Sequence, residues 1–148
     1  MPAMHTYDYA VIRVVPRVER GEFVNAGVIL SCDVERVLCA AVELDETALL
    51  AIDPAVDLPM VRRGLAAMAA VCAGFDLPGE LGLMSPRQRF HWLVATRSTM
   101  LQTSPVHAGR GTDLAAALQQ LMDRLVRRGE MGRNPTQGSA PEDCMQPR

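Results

Sequence analysis

Arg13, Arg17, Glu19, Arg20, Glu22 and Asn25 fall within the 13 residues 13–25, inside the stretch VPRVERGEFVNAGVIL that joins two apolar runs through a turn. Arginine forks grip phosphate or carboxylate groups with two parallel hydrogen bonds, and glutamates beside them orient the forks. The chemistry on offer is an anion or carboxylate site; the same residues also suit a solvated hairpin tip. Asn25 and Gly27 resist the second reading, because an amide and a glycine inside an apolar strand answer a specific local need. A second constellation comprises His91, Trp92, Arg97, Ser98, Thr99, Gln102, Thr103, Ser104 and His107. Ser98 or Ser104 with His107 suggests a nucleophile and a base, yet no GxSxG elbow surrounds either serine. Hydroxyls after a helix more often satisfy free backbone groups. Glu19 and Glu22 suggest an acid/base pair, but with 4% aromatic residues the chain offers little sugar-stacking surface. Cys39 and Cys72 have apolar neighbours that suit core packing better than nucleophilic catalysis.

All 15 basic residues are arginine. Without lysine, a P-loop lysine, a Schiff-base lysine and a kinase ATP-binding lysine are excluded. The net charge of −2 hides an asymmetry: residues 1–84 carry 6 Arg against 12 acids (−6), and residues 85–133 carry 8 Arg against 3 acids (+5). Such a split either makes a basic face for an anionic partner or pairs with the acidic half inside the fold. The acidic overall balance and the lack of interleaved aromatics argue against a dedicated nucleic-acid binder. No apolar run reaches the length of a membrane span and the N-terminal stretch lacks signal-peptide character, which predicts a soluble cytoplasmic protein. The cysteines suit buried thiols in a reducing compartment. There is no CxxC and no Cys/His pair at zinc-finger spacing, so neither a metal nor another cofactor is implied.

These residues must be positioned by a modest α+β domain. Residues 7–15 (YDYAVIRVV), 23–32 (FVNAGVILSC) and 37–44 (VLCAAVEL) read as three strands of an antiparallel meander, the second apolar enough to be covered on both faces. Asp45 can cap a short helix ETALLAI, Asp57 a second helix with Pro59 in its first turn and Gly74 at its end, and Ser85-Pro86-Arg87-Gln88 forms a capping box that opens a helix through about residue 96. Residues 99–106 read as a fourth, edge strand. Asp113 opens a last helix with Leu114, Leu118, Leu121 and Leu125 on one face and Arg124, Arg127 and Arg128 opposite. The expected class is α+β: a three- to four-stranded antiparallel meander packed by three to four helices, a single domain over 1–128. Residues 129–148, rich in Pro, Gly and Ser, read as a disordered C-terminal tail.

The strings YDYAVIRVVPRVERGEFVNAGVIL and WLVATRSTMLQTSPVH closely resemble the signature stretches of a bacterial family known as domain of unknown function 3037, over residues 6–128. The positions that carry the resemblance are Pro16, Arg17, Glu19, Gly21, Glu22, Asn25, Gly27, Arg97, Ser98, Gln102, Ser104 and Pro105. The resemblance supplies no activity, cofactor or catalytic residue. It implies a small stand-alone protein, sometimes encoded beside a kinase similar to the toxin half of HipA-type toxin–antitoxin pairs, and so an accessory or antitoxin-like role with a HipA-like kinase as protein partner. The leading expectation is a non-enzymatic module that presents the Arg/Glu/Asn turn to a protein. The alternative is a small enzyme for a phosphorylated or nucleotide-like substrate, with Arg17, Arg20 and Arg97 on the anion and Glu19 or Glu22 as general base. A third reading is weak nucleic-acid binding along the last helix. Whether the two constellations meet in space decides how each reading stands.

Overall fold

The helix starts are written in side chains that replace missing backbone partners. In a computed structural model of the chain, which describes residues 3–97 and 99–128, Asp45 accepts from the Ala48 amide at the start of α1 (Glu46–Ile52), and Asp57 from Met60 at the start of α2 (Leu58–Ala73). Ser85 and Gln88 close a reciprocal capping box on α3 (Pro86–Val94), and Asp113 accepts from Ala116 on α4 (Leu114–Leu125). Each satisfies an amide that has no partner in the first turn. Gly74 ends α2 in the left-handed conformation with φ 76°. α3 stops at Val94, short of the expected residue 96, and a 3-10 turn over Gly79–Leu83 was not foreseen.

The strands are β1 (His5–Val14), β2 (Val24–Cys32), β3 (Val37–Val42), β4 (Leu101–Thr103) and β5 (His107–Gly111). β1, β2 and β3 form the antiparallel meander; β4 and β5 both pair with the outer edge of β1. The fold is α+β: among the described residues there are four α-helices and a sheet of five strands, one more than the expected upper bound. The difference lies in residues 99–111. The expected single edge strand is broken at Pro105, which has no amide to give the ladder, and the chain resumes pairing at His107. Ser104 bridges the gap: its hydroxyl accepts from the Val11 amide at 2.9 Å and donates to the Pro105 carbonyl at 2.9 Å, while its own amide donates to the Val11 carbonyl.

The sheet is buried on both faces, which is why β2 is apolar apart from Asn25 and Ser31. On one face Ile12, Val14, Val24, Ala26 and Ile29 pack against Leu49 of α1, Val61, Leu65 and Met68 of α2, and Phe90 and Leu93 of α3. On the other, Tyr7, Val28, Leu30, Cys32 and Cys39 pack against the leucine stripe of α4. A bulge interrupts the β1–β2 ladder: Ile12 faces Gly27 but Arg13 faces Asn25, so Ala26 is the extra residue. Gly27 is required there, because a Cβ would lie 2.6 Å from the Ala41 carbonyl oxygen and 3.1 Å from Ile12 Cδ1. The charge asymmetry is partly closed inside the fold by ion pairs of Arg87 with Asp8, Arg127 with Glu43 and Arg128 with Asp45. Hydrogen bonds to Asp123 and then Glu43 hold the Arg127 guanidinium above its ordinary pKa, against the opposing effect of burial. Among the described residues no helix is long and apolar enough to cross a membrane.

Candidate binding cleft

The two polar constellations meet across β1. Register places Asn25, Arg13 and Gln102 in one row over β2, β1 and β4. Arg13 lays its guanidinium over the Phe23 ring, 4.3 Å from the centroid, and Asn25 donates to the Leu125 carbonyl at the end of α4 at 2.9 Å. Arg13 Nε and Asn25 Oδ1 are buried with no hydrogen-bond partner among the described residues. Gln102 donates to the Thr99 carbonyl.

The remaining turn residues do not converge into an anion site. Arg20 pairs with its neighbour Glu22, Arg17 reaches Asp53 at 3.9 Å, and Glu19 is exposed at the tip, where Gly21 turns the chain with φ 71°. Arg97 lies over the Trp92 ring at 4.2 Å and donates to the Trp92 carbonyl at 2.7 Å. The three arginines of the enzyme reading thus have three separate partners. Ser104 is only 4% exposed and its hydroxyl is committed to the backbone in both directions. The hydroxyl donates to Pro105 O rather than to His107, whose ring lies beside that of Tyr9 with the centroids 5.5 Å apart. Ser98 and the stretch 129–148 lie outside the described residues.

What the turn does not provide, the sheet edge does. A cleft of about 390 Å³ opens between α2, the end of α3 and β4, lined by Met60, Val61, Gly64, Ala67, Met68, Val71, Trp92, Leu93, Ala95, Arg97 and residues 99–103. This volume lies in the range of sites that hold an apolar group with a few fixed polar contacts. Its floor is made by Gly64, whose lack of a side chain admits Leu101: a Cβ there would lie 2.4 Å from Leu101 Cδ1. Arg97, Thr99, Gln102 and Thr103 are its polar members, and among the described residues no Asp or Glu lines it. Trp92 and Met60 stay 39% and 44% exposed on its walls, large apolar side chains that the fold leaves uncovered. Sequence reasoning found Trp92, Arg97, Thr99, Gln102 and Thr103 but missed the α2 wall. A signal existed: Gly64 and Ala67 are small residues beside the Val61, Leu65, Met68 stripe, and a helix face that narrows so abruptly leaves room for something.

Fold and site together define an α+β protein with an apolar cleft at a sheet edge, bordered by Arg97. Among the described residues no group of three or more His, Cys, Asp or Glu is placed to hold a metal. The DUF3037 family model, described as a protein of unknown function, matches residues 9–126, and the chain belongs to that family. No curated protein and no solved structure matches it.

Proposed function

We propose that this protein is a non-enzymatic binding module that receives an apolar side chain of a protein partner in the cleft between α2, α3 and β4. One observation carries this reading: the cleft walls are apolar and stay exposed at Trp92 and Met60. An enclosed pocket would bury most of a small ligand. An open one suits a side chain that remains attached to a larger body, and the thioethers of Met60, Met68 and Met100 repack easily around such a group. A kinase of the HipA type is the first partner to try, on the strength of the family resemblance.

The test is affinity capture with purified candidate kinase by wild type and by Ala67→Phe. Ala67 is exposed on α2 and lines the cleft, so phenylalanine there fills the cleft from its wall without entering the core. Capture lost at an unchanged melting temperature supports the module; capture of equal strength by Ala67→Phe refutes the cleft as the binding surface. The enzyme reading predicts instead that Arg17→Ala abolishes turnover of a phosphorylated substrate. The pairing of Arg17 with Asp53, and of Arg20 with Glu22, weighs against it.

A further inference from the structure

The strand that walls the cleft has one edge to spare. β4 gives one edge to β1, through Ile12–Thr103, Arg13–Gln102 and Val14–Leu101, and among the described residues no strand pairs with its other edge. The Val15 amide donates to Met100 O and the Ser104 amide to Val11 O. Backbone direction alternates along an antiparallel ladder, so Met100, Gln102 and Ser104 face β1 while Leu101 and Thr103 turn their amides and carbonyls away from it. Thr99 Oγ1 already donates to the Leu101 carbonyl. The Leu101 amide and both backbone groups of Thr103 therefore lie on the outer edge, beside the apolar cleft. A free ladder next to a side-chain pocket is the arrangement by which sheets take up an extended peptide: main-chain bonds supply affinity and the pocket supplies choice. The charged residue among those described as lining the cleft is an arginine. Arg97 stands at the cleft, and Arg63, exposed on α2 one turn from Met60 and Ala67, forms no ion pair with any described residue.

Resting on the binding-module reading, we propose that the partner segment is an extended strand that adds to the free edge of β4, seats one bulky apolar side chain in the cleft and places a carboxylate beside that anchor against Arg97. The geometry disfavours a helix, which has no backbone groups to give the ladder, and a free apolar acid, which would use Arg97 but not Thr103.

The probe is a random 12-residue peptide library displayed on phage, selected on the full chain and depleted on Ala67→Phe. Enriched sequences should alternate in the manner of a strand and carry Asp or Glu beside a single large apolar residue. Synthesised, the best peptide should quench or shift the fluorescence of Trp92, the sole tryptophan, and slow hydrogen exchange at the Leu101 and Thr103 amides. Arg97→Gln should weaken it about fivefold, and methylation of the peptide nitrogen facing Thr103 about tenfold. Enrichment of helical i, i+3, i+4 patterns, of basic sequences, or of nothing at all overturns the proposal, as does equal binding by the N-methylated peptide. If those outcomes occur while kinase capture still depends on Ala67, strand addition fails and the module stands. If capture ignores Ala67→Phe, the module itself fails.

Discussion

Ser104→Ala separates a structural serine from a functional one. The substitution deletes one oxygen that accepts from the buried Val11 amide, 93 residues away in sequence, and donates to the carbonyl of exposed Pro105. Water can replace the donor at Pro105, so that loss is small. Water cannot readily reach Val11, which is 6% exposed in the middle of β1. A buried amide left without a partner costs about 1–3 kcal/mol, and for a domain of this size each kcal/mol lowers the melting temperature by about 4 °C. The expected result is a fall of roughly 4–12 °C in thermal unfolding followed by circular dichroism, with a matching shift in the urea midpoint at unchanged slope. The Val11 amide should also exchange with solvent far faster in the variant. Thr99→Ala is the control: it deletes an exposed hydroxyl and should change stability by less than about 0.5 kcal/mol. A Ser104→Ala protein that melts within a degree of wild type, keeps Val11 protected and loses partner binding would refute the structural assignment and return Ser104 to the candidate site.

Two further outcomes follow from groups under strain or without partners. Arg13→Met removes a buried unpaired donor, worth about 1–3 kcal/mol, and a guanidinium–Phe23 contact worth about 0.5–1 kcal/mol; stability in urea should be unchanged or raised by up to about 2 kcal/mol, and a loss above 1 kcal/mol would show that the guanidinium is held by the fold. Gly27→Ala drives a methyl onto the Ala41 carbonyl across β2 and β3, an overpacking that should cost about 1–3 kcal/mol in the same assay; a neutral result would mean that the bulge relaxes freely.

What could be read directly was chemistry that acts over three or four residues. Asp45, Asp57, Ser85 and Asp113 cap the helices expected of them, since a cap and its amide are near neighbours in sequence. The apolar run of β2 correctly indicated a strand covered on both faces, though not that α4 packs against one of them. The placement of β4 and β5 was hidden for a physical reason: pairing Asp8 with Ala108 depends on loops closing through the whole chain, and HAGRG carries no strand signal of its own. The candidate site divided in the same way. Its rim of Trp92, Arg97, Gln102 and Thr103 lies in one segment and stood out, whereas its α2 wall has only apolar and small side chains, which look like core until the neighbouring strand fails to cover them. The arginines of the turn, conspicuous in sequence, turned out to be spread over separate partners.

The broken edge strand also governs how this protein must be made. β1 is synthesised before the other strands of the sheet, yet the residues that cover its outer edge are Leu101 to Gly111. At about 5–20 residues per second, the 93 residues between Val11 and Ser104 take on the order of 5–20 s to emerge. Throughout that interval a β-branched, largely apolar strand presents an open ladder with Arg13 as the only cation in its interior. A nascent chain stalled or cleaved before residue 101 would keep that edge uncovered, so premature termination should yield aggregates or chaperone-bound fragments rather than a partly active domain.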